Sequence, residues 1–272
     1  MTPPNERRPH LAADILREAL ERQRAFEERK PTRMGRGAER FTAPVGGLVA
    51  RMVPPRLVQQ GLRIADRMVG YTVPAEMTRH SVEDLAACEA AARRVQAWAA
   101  SSNAASGGAA GWFGAVGMTA DIPATIAMAA RNVRATGAAF GFNGDSEEER
   151  AYRLMVLQVA TETANKGRDE TLAALSDMAA FLASPEGRLV LEKGGGWVSE
   201  KVIERIARQL GVTLASRKAG QVVPIVGGAV AAVVNASFQT DVSRAARYGY
   251  RMRWLMERRL LEDRSLDGAG EA

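Results

Sequence analysis

The stretch that most restricts how this chain can fold is residues 220–254, where no charge occurs before Asp241 and the apolar core runs over residues 222–234. That core is shorter than the roughly 20 apolar residues a membrane-spanning helix needs, so it predicts a helix buried in protein. Pro224 suits the first turn of such a helix, where a missing N–H costs nothing. Gly227 and Gly228 leave a flat patch on which another backbone can pack closely. Beyond Asp241 the apolar positions continue and arginines join them: Val242, Ala245, Met252 and Met256 share one face. Arg244, Arg247, Arg251 and Arg258 fall on another.

A second run, residues 104–130, carries a single charge at Asp121. It lacks leucine and is rich in alanine and glycine, which argues against a transmembrane span. Gly107, Gly111 and Gly114 share a helical face suited to close packing. Asp121-Ile122-Pro123 reads as an N-cap followed by a helix-opening proline. Packed against each other as a hairpin, the two Gly-rich segments would place Asp121 and Asn235 together, either as structural caps and bonds or as the lining of a small polar pocket.

The remaining periodicity is also helical. A charged helix spans residues 10–29, a loop with four glycines follows to residue 53, and Pro54-Pro55 open a helix that runs to Gly70. Ser81-Val82-Glu83-Asp84 resembles a capping box, followed by Leu85, Cys88, Ala92, Val95 and Ala99 on one face. Ser146-Glu147-Glu148-Glu149 is a second capping box, opening a helix to about residue 163. A further helix, residues 169–182, buries Leu172, Leu175, Ala179 and Leu182. Ser184-Pro185-Glu186 starts a short one, Gly194-Gly195-Gly196 form a joint, and residues 199–210 are amphipathic. No sustained two-residue alternation occurs, so the class is all-α, a multi-helix bundle of about eight to ten helices around a central Gly-rich, apolar helical hairpin.

The net charge of +6 and pI near 9.9 favour an anionic partner surface. No Lys/Arg block or helix-turn-helix pattern accompanies the charge, which disfavours nucleic acid. The single cysteine, Cys88, excludes an intrachain disulfide and falls on an apolar face as a structural thiol. The charged first thirty residues do not form a secretory signal, and a reducing, cytoplasmic location follows. His10 and His80 lie in no metal-ligand spacing, and no Gly-x-Ser-x-Gly motif is present. Ser216 and Lys218 are neighbours in sequence alone. Catalytic residues, cofactor and metal are therefore all assigned as none.

Three features resemble the EcsC protein family: the Gly-rich run leading to Asp121-Ile122-Pro123; Gly141-Phe142 followed by Glu147-Glu148-Glu149-Arg150; and Val223-Pro224 through Gly228 to Asn235-Ala236, then Arg244 to Arg253. The resemblance spans about residues 85–260. It implies a helical bacterial protein whose family is named for an operon that also encodes an ABC transporter, with no catalytic residues to carry over. The expected organisation is a charged N-terminal helix and loop at 1–53, an EcsC-like helical domain at 54–264 and a polar tail at 265–272. The expected function is non-enzymatic, peripheral association with the cytoplasmic membrane face or with a membrane complex. Arg244, Arg247, Arg251, Arg258 and Trp254 would lie on anionic lipid, with Tyr248 and Tyr250 at headgroup depth. The alternative is a soluble enzyme, a hydrolase, with a pocket at Asp121 and Asn235.

Overall fold

The computed structural model describes residues 13–28, 79–111, 114–162, 165–187, 189 and 227–261; for residues 102–122, 165–166 and 227–235 it describes the backbone alone. The predicted helices at 54–70 and 199–210, the triple glycine and Pro224 lie outside the described residues. Among the described residues every regular element is helical. The six long helices are α1 (Ala13–Glu27), α2 (Leu85–Gly111), α3 (Gly114–Ala139), α4 (Glu147–Thr161), α5 (Asn165–Ala183) and α6 (Gly227–Glu257).

The longest helix, α6, is also the axis of the structure, packing most extensively on α2 and also on α3, α4, α5 and α1. The reason is in its sequence. From Phe238 onwards its apolar residues surround the helix: Val242, Ala245, Ala246, Tyr248, Tyr250, Met252 and Leu255 are all buried. A helix apolar on every side is stable only when neighbours cover every side. The predicted inner faces of the neighbours supply that cover: Leu85, Cys88, Ala92, Val95 and Ala99 of α2 are buried, as are Leu172, Leu175, Ala179 and Leu182 of α5.

Helix ends follow local chemistry, with two departures from expectation. The cap of α2 is Asp84, whose Oδ1 accepts from the N–H of Ala86 at 2.9 Å and of Ala87 at 3.3 Å. Ser81 instead closes the preceding turn, its Oγ accepting from the Glu83 N–H at 3.3 Å. Ser146 does cap α4, accepting from the Glu149 N–H at 3.2 Å, but the Glu149 side chain turns away to Arg253 and leaves the box without its reciprocal half.

The second departure concerns Asp121 and Pro123. Both lie inside α3, which runs unbroken from Gly114, so Asp121 is not an N-cap and Pro123 does not open a helix. Interior proline removes a backbone donor and is normally costly. Here α3 as a whole packs on α2 and α6.

The end of α3 is a Schellman motif: Gly141, at φ 91°, donates to Ala138 O at 3.0 Å and Phe142 donates to Gly137 O at 2.8 Å. Gly137 itself lies against the Tyr250 ring, and a Cβ there would come within 2.7 Å of the ring and 2.8 Å of the Phe142 carbonyl oxygen. Gly137→Ala is therefore expected to lower unfolding free energy by about 1–3 kcal/mol, the usual cost of overpacking. Urea unfolding followed by circular dichroism checks this, and a change below about 0.5 kcal/mol would show that the contact yields freely.

Candidate functional site: an arginine cluster on the central helix

The arginines of α6 divide into two sets with different partners. Arg251 is buried, and its Nε donates to Glu89 Oε1 of α2 at 2.5 Å. Its Nη1 donates to Gln23 Oε1 of α1 at 2.8 Å, and Gln23 Nε2 donates onward to the Tyr248 carbonyl at 3.4 Å. Arg253 is buried against α4: Nη1 and Nη2 meet the two Glu149 oxygens at 2.9 and 2.7 Å, and Nε meets Glu257 at 3.3 Å. Its guanidinium also lies 4.2 Å from the Phe142 ring centroid and 5.6 Å from that of Tyr152. The forked pairing with Glu149 raises the Arg253 pKa against the desolvation that acts to lower it.

Trp254 is completely buried and donates its indole N–H to the Val82 carbonyl at 2.8 Å. Arg258 stacks on that indole at 3.9 Å and donates to Val82 O at 3.3 Å and Glu83 Oε1 at 2.9 Å. Tyr248 and Tyr250 are buried too, stacked on Phe26 and Phe142.

The predicted lipid-facing stripe is therefore corrected. Arg251 and Trp254 face protein on all sides and Arg258 is committed to Trp254 and the Val82-Glu83 turn, so none of the three lines an open surface. Tyr248 and Tyr250 are likewise unable to reach headgroup depth. The helical wheel separates residues by angle alone, and here the charged angle is also covered by neighbouring helices.

Arg244 and Arg247 remain. Arg244 is half-buried, with Asp241 at 3.8 Å. Arg247 is half-buried and has no hydrogen-bond or ion-pair partner among the described residues; its Nε is buried without an acceptor. Desolvation lowers its pKa; Glu89 opposes that shift, while Arg251, Arg93 and Arg244 add to it. Four guanidinium groups from α2 and α6 thus share Glu89 and Asp241. Arg93, on α2, approaches Glu89 at 3.9 Å and is half exposed. A guanidinium stays protonated at any physiological pH, so an unpaired, partly desolvated one is a standing demand for an anion. The arrangement suits phosphate or carboxylate oxygens, which guanidinium forks hold bidentately.

Asp121 and Asn235 lie on α3 and α6, and their side chains are outside those described. One turn further along each helix, a buried polar ladder joins the two: Gln239 Nε2 donates to Thr125 O at 3.4 Å, and Asn132 Nδ2 donates to Gln239 Oε1 at 3.1 Å and Ser243 Oγ at 2.8 Å. Another buried acid, Glu148 in the first turn of α4, has neither oxygen hydrogen-bonded among the described residues. Among the described residues no group of three His, Cys, Asp or Glu side chains could hold a metal ion.

These features define an all-helical protein built on a central arginine-bearing helix with a cluster of arginines at its side. The chain belongs to the EcsC protein family, whose model matches residues 13–255. Comparison with curated proteins and with solved structures finds no match in either.

Two outcomes follow. Glu89→Ala removes the partner of a buried guanidinium and is expected to cost about 3–5 kcal/mol in denaturant unfolding, with Glu89→Leu/Arg251→Met recovering much of the loss; equal losses in both variants would contradict the pairing. Cys88 is fully buried, and desolvation pushes its thiol up to about 12. It should resist a disulfide reagent at pH 8 in the native state and react once unfolded in guanidinium chloride. Rapid native labelling would show that α2 opens readily.

Proposed function

We propose that the protein associates peripherally with the cytoplasmic face of a membrane by holding anionic lipid headgroups at the cluster of Arg93, Arg244 and Arg247. The observation that carries this reading is the Arg247 guanidinium, without a hydrogen-bond or ion-pair partner among the described residues and partly desolvated beside three other arginines. The net charge of +6 adds long-range attraction to an anionic leaflet. No described helix is long and apolar enough to cross a membrane.

Flotation with liposomes of neutral and of anionic lipid, at low and high salt, tests the proposal. Wild-type protein should float with anionic lipid alone and less so at high salt. Arg244→Ala/Arg247→Ala should weaken partitioning by on the order of 30-fold, from about 1 kcal/mol for each arginine near the surface. Its melting temperature should stay close to wild type, because neither side chain holds a buried pair. Flotation independent of lipid charge, or unchanged in the variant, would overturn the reading.

A further inference from the structure

On the side of the molecule formed by α1, α5 and α6, two adjoining cavities of about 620 and 320 Å³ share Met256 and Leu261 and so form one groove. Along α5 the groove wall runs from Asp169 to Ala183, about 21 Å at 1.5 Å per residue. Its floor is apolar, with Leu172, Met252 and Met256. The α5 wall also carries the small residues Ala173 and Ser176, with Ala180 beyond them.

The sign of its edge is opposite to that of the protein as a whole. Glu27, Asp169, Asp177 and Glu257 line the groove against Arg24 and Arg259, giving a net of two negative charges in a chain of net charge +6. Glu257 is engaged by Arg253 and Glu27 accepts from the Tyr248 hydroxyl at 3.0 Å. Asp169 and Asp177 are exposed and have no hydrogen-bond or ion-pair partner among the described residues, though the charge of Asp169 acts on its neighbour Arg168. They stand eight residues apart, on one edge of α5.

We infer that this groove takes a basic amphipathic helix of a partner protein, its apolar stripe on the part-exposed Leu20 and Leu261 above the buried methionines and its cationic edge along Asp169 and Asp177. Four turns of helix match the groove length. Laying a helix in an apolar groove is a recurrent mode of recognition. The acidic edge supplies selectivity, because the rest of the protein repels a cationic peptide and would attract an anionic one.

The test is fluorescence anisotropy with a labelled Leu/Lys amphipathic peptide and its Leu/Glu counterpart. The full-length protein should bind the first and not the second. Ala173→Trp, at an exposed position that projects into the groove, and Asp169→Lys/Asp177→Lys should each weaken binding by about tenfold or more. Ala180→Trp gives a second blocking variant, and circular dichroism confirms that each is folded. Arg244→Ala/Arg247→Ala, which tests the proposed lipid contact on α2 and α6, should bind the peptide as wild type does. Absence of Leu/Lys binding, equal binding of the Leu/Glu peptide, binding unaffected by both tryptophan variants, or groove occupancy by lipid vesicles in place of peptide would each overturn the inference.

Discussion

The structure depends on two guanidinium groups being neutralised deep inside it. Arg251 and Arg253 lie two residues apart on α6, so they project in widely different directions, one to Glu89 of α2 and the other to Glu149 of α4. An uncompensated charge in either place would cost several kcal/mol, whereas a well-packed apolar replacement of the pair would cost little. Their contribution is therefore more to specificity than to stability. A slide or rotation of α6 that kept its hydrophobic contacts would still strand both charges, and only one register satisfies the two at once.

The same logic explains why the anionic-surface residues form a shorter set than the helical wheel implies. The buried faces of α2 and α5 were legible because apolar residues at helical spacing have a single explanation. Arginine has two: it faces water, or it faces a carboxylate carried by another helix. Glu89 is 162 residues from Arg251 and Glu149 is 104 residues from Arg253, beyond the reach of any local pattern. One signal was present in the letters. Tyrosines, methionines and valines occur all round α6, so its charged angle had to be covered as well. Trp254 follows from the same argument, its indole N–H finding a backbone carbonyl as buried tryptophans do.

At Asp121-Ile122-Pro123 and Ser81 the local signals were correct in kind and misplaced in position. An Asp before a proline favours a helix start, yet tertiary packing carries α3 straight through it. Ser81 and Asp84 both have capping chemistry, and the helix begins after the second. The groove beside α5 could not be read from sequence at all, because it is made by three helices whose relative placement is a property of the assembled core.

The long separations of these contacts also bear on how the chain becomes folded. Gln23 meets Arg251 across 228 residues, and Val82 receives the Trp254 N–H across 172. Chains dominated by distant contacts must close large loops before gaining their energy. Gln23, Glu89 and Glu149 lie on helices made before α6, so none of them meets its arginine until α6 has been synthesised, although α2, α3, α4 and α5 also pack on one another. Until then the earlier helices expose the apolar faces that α6 covers, a kind of surface that chaperones shield.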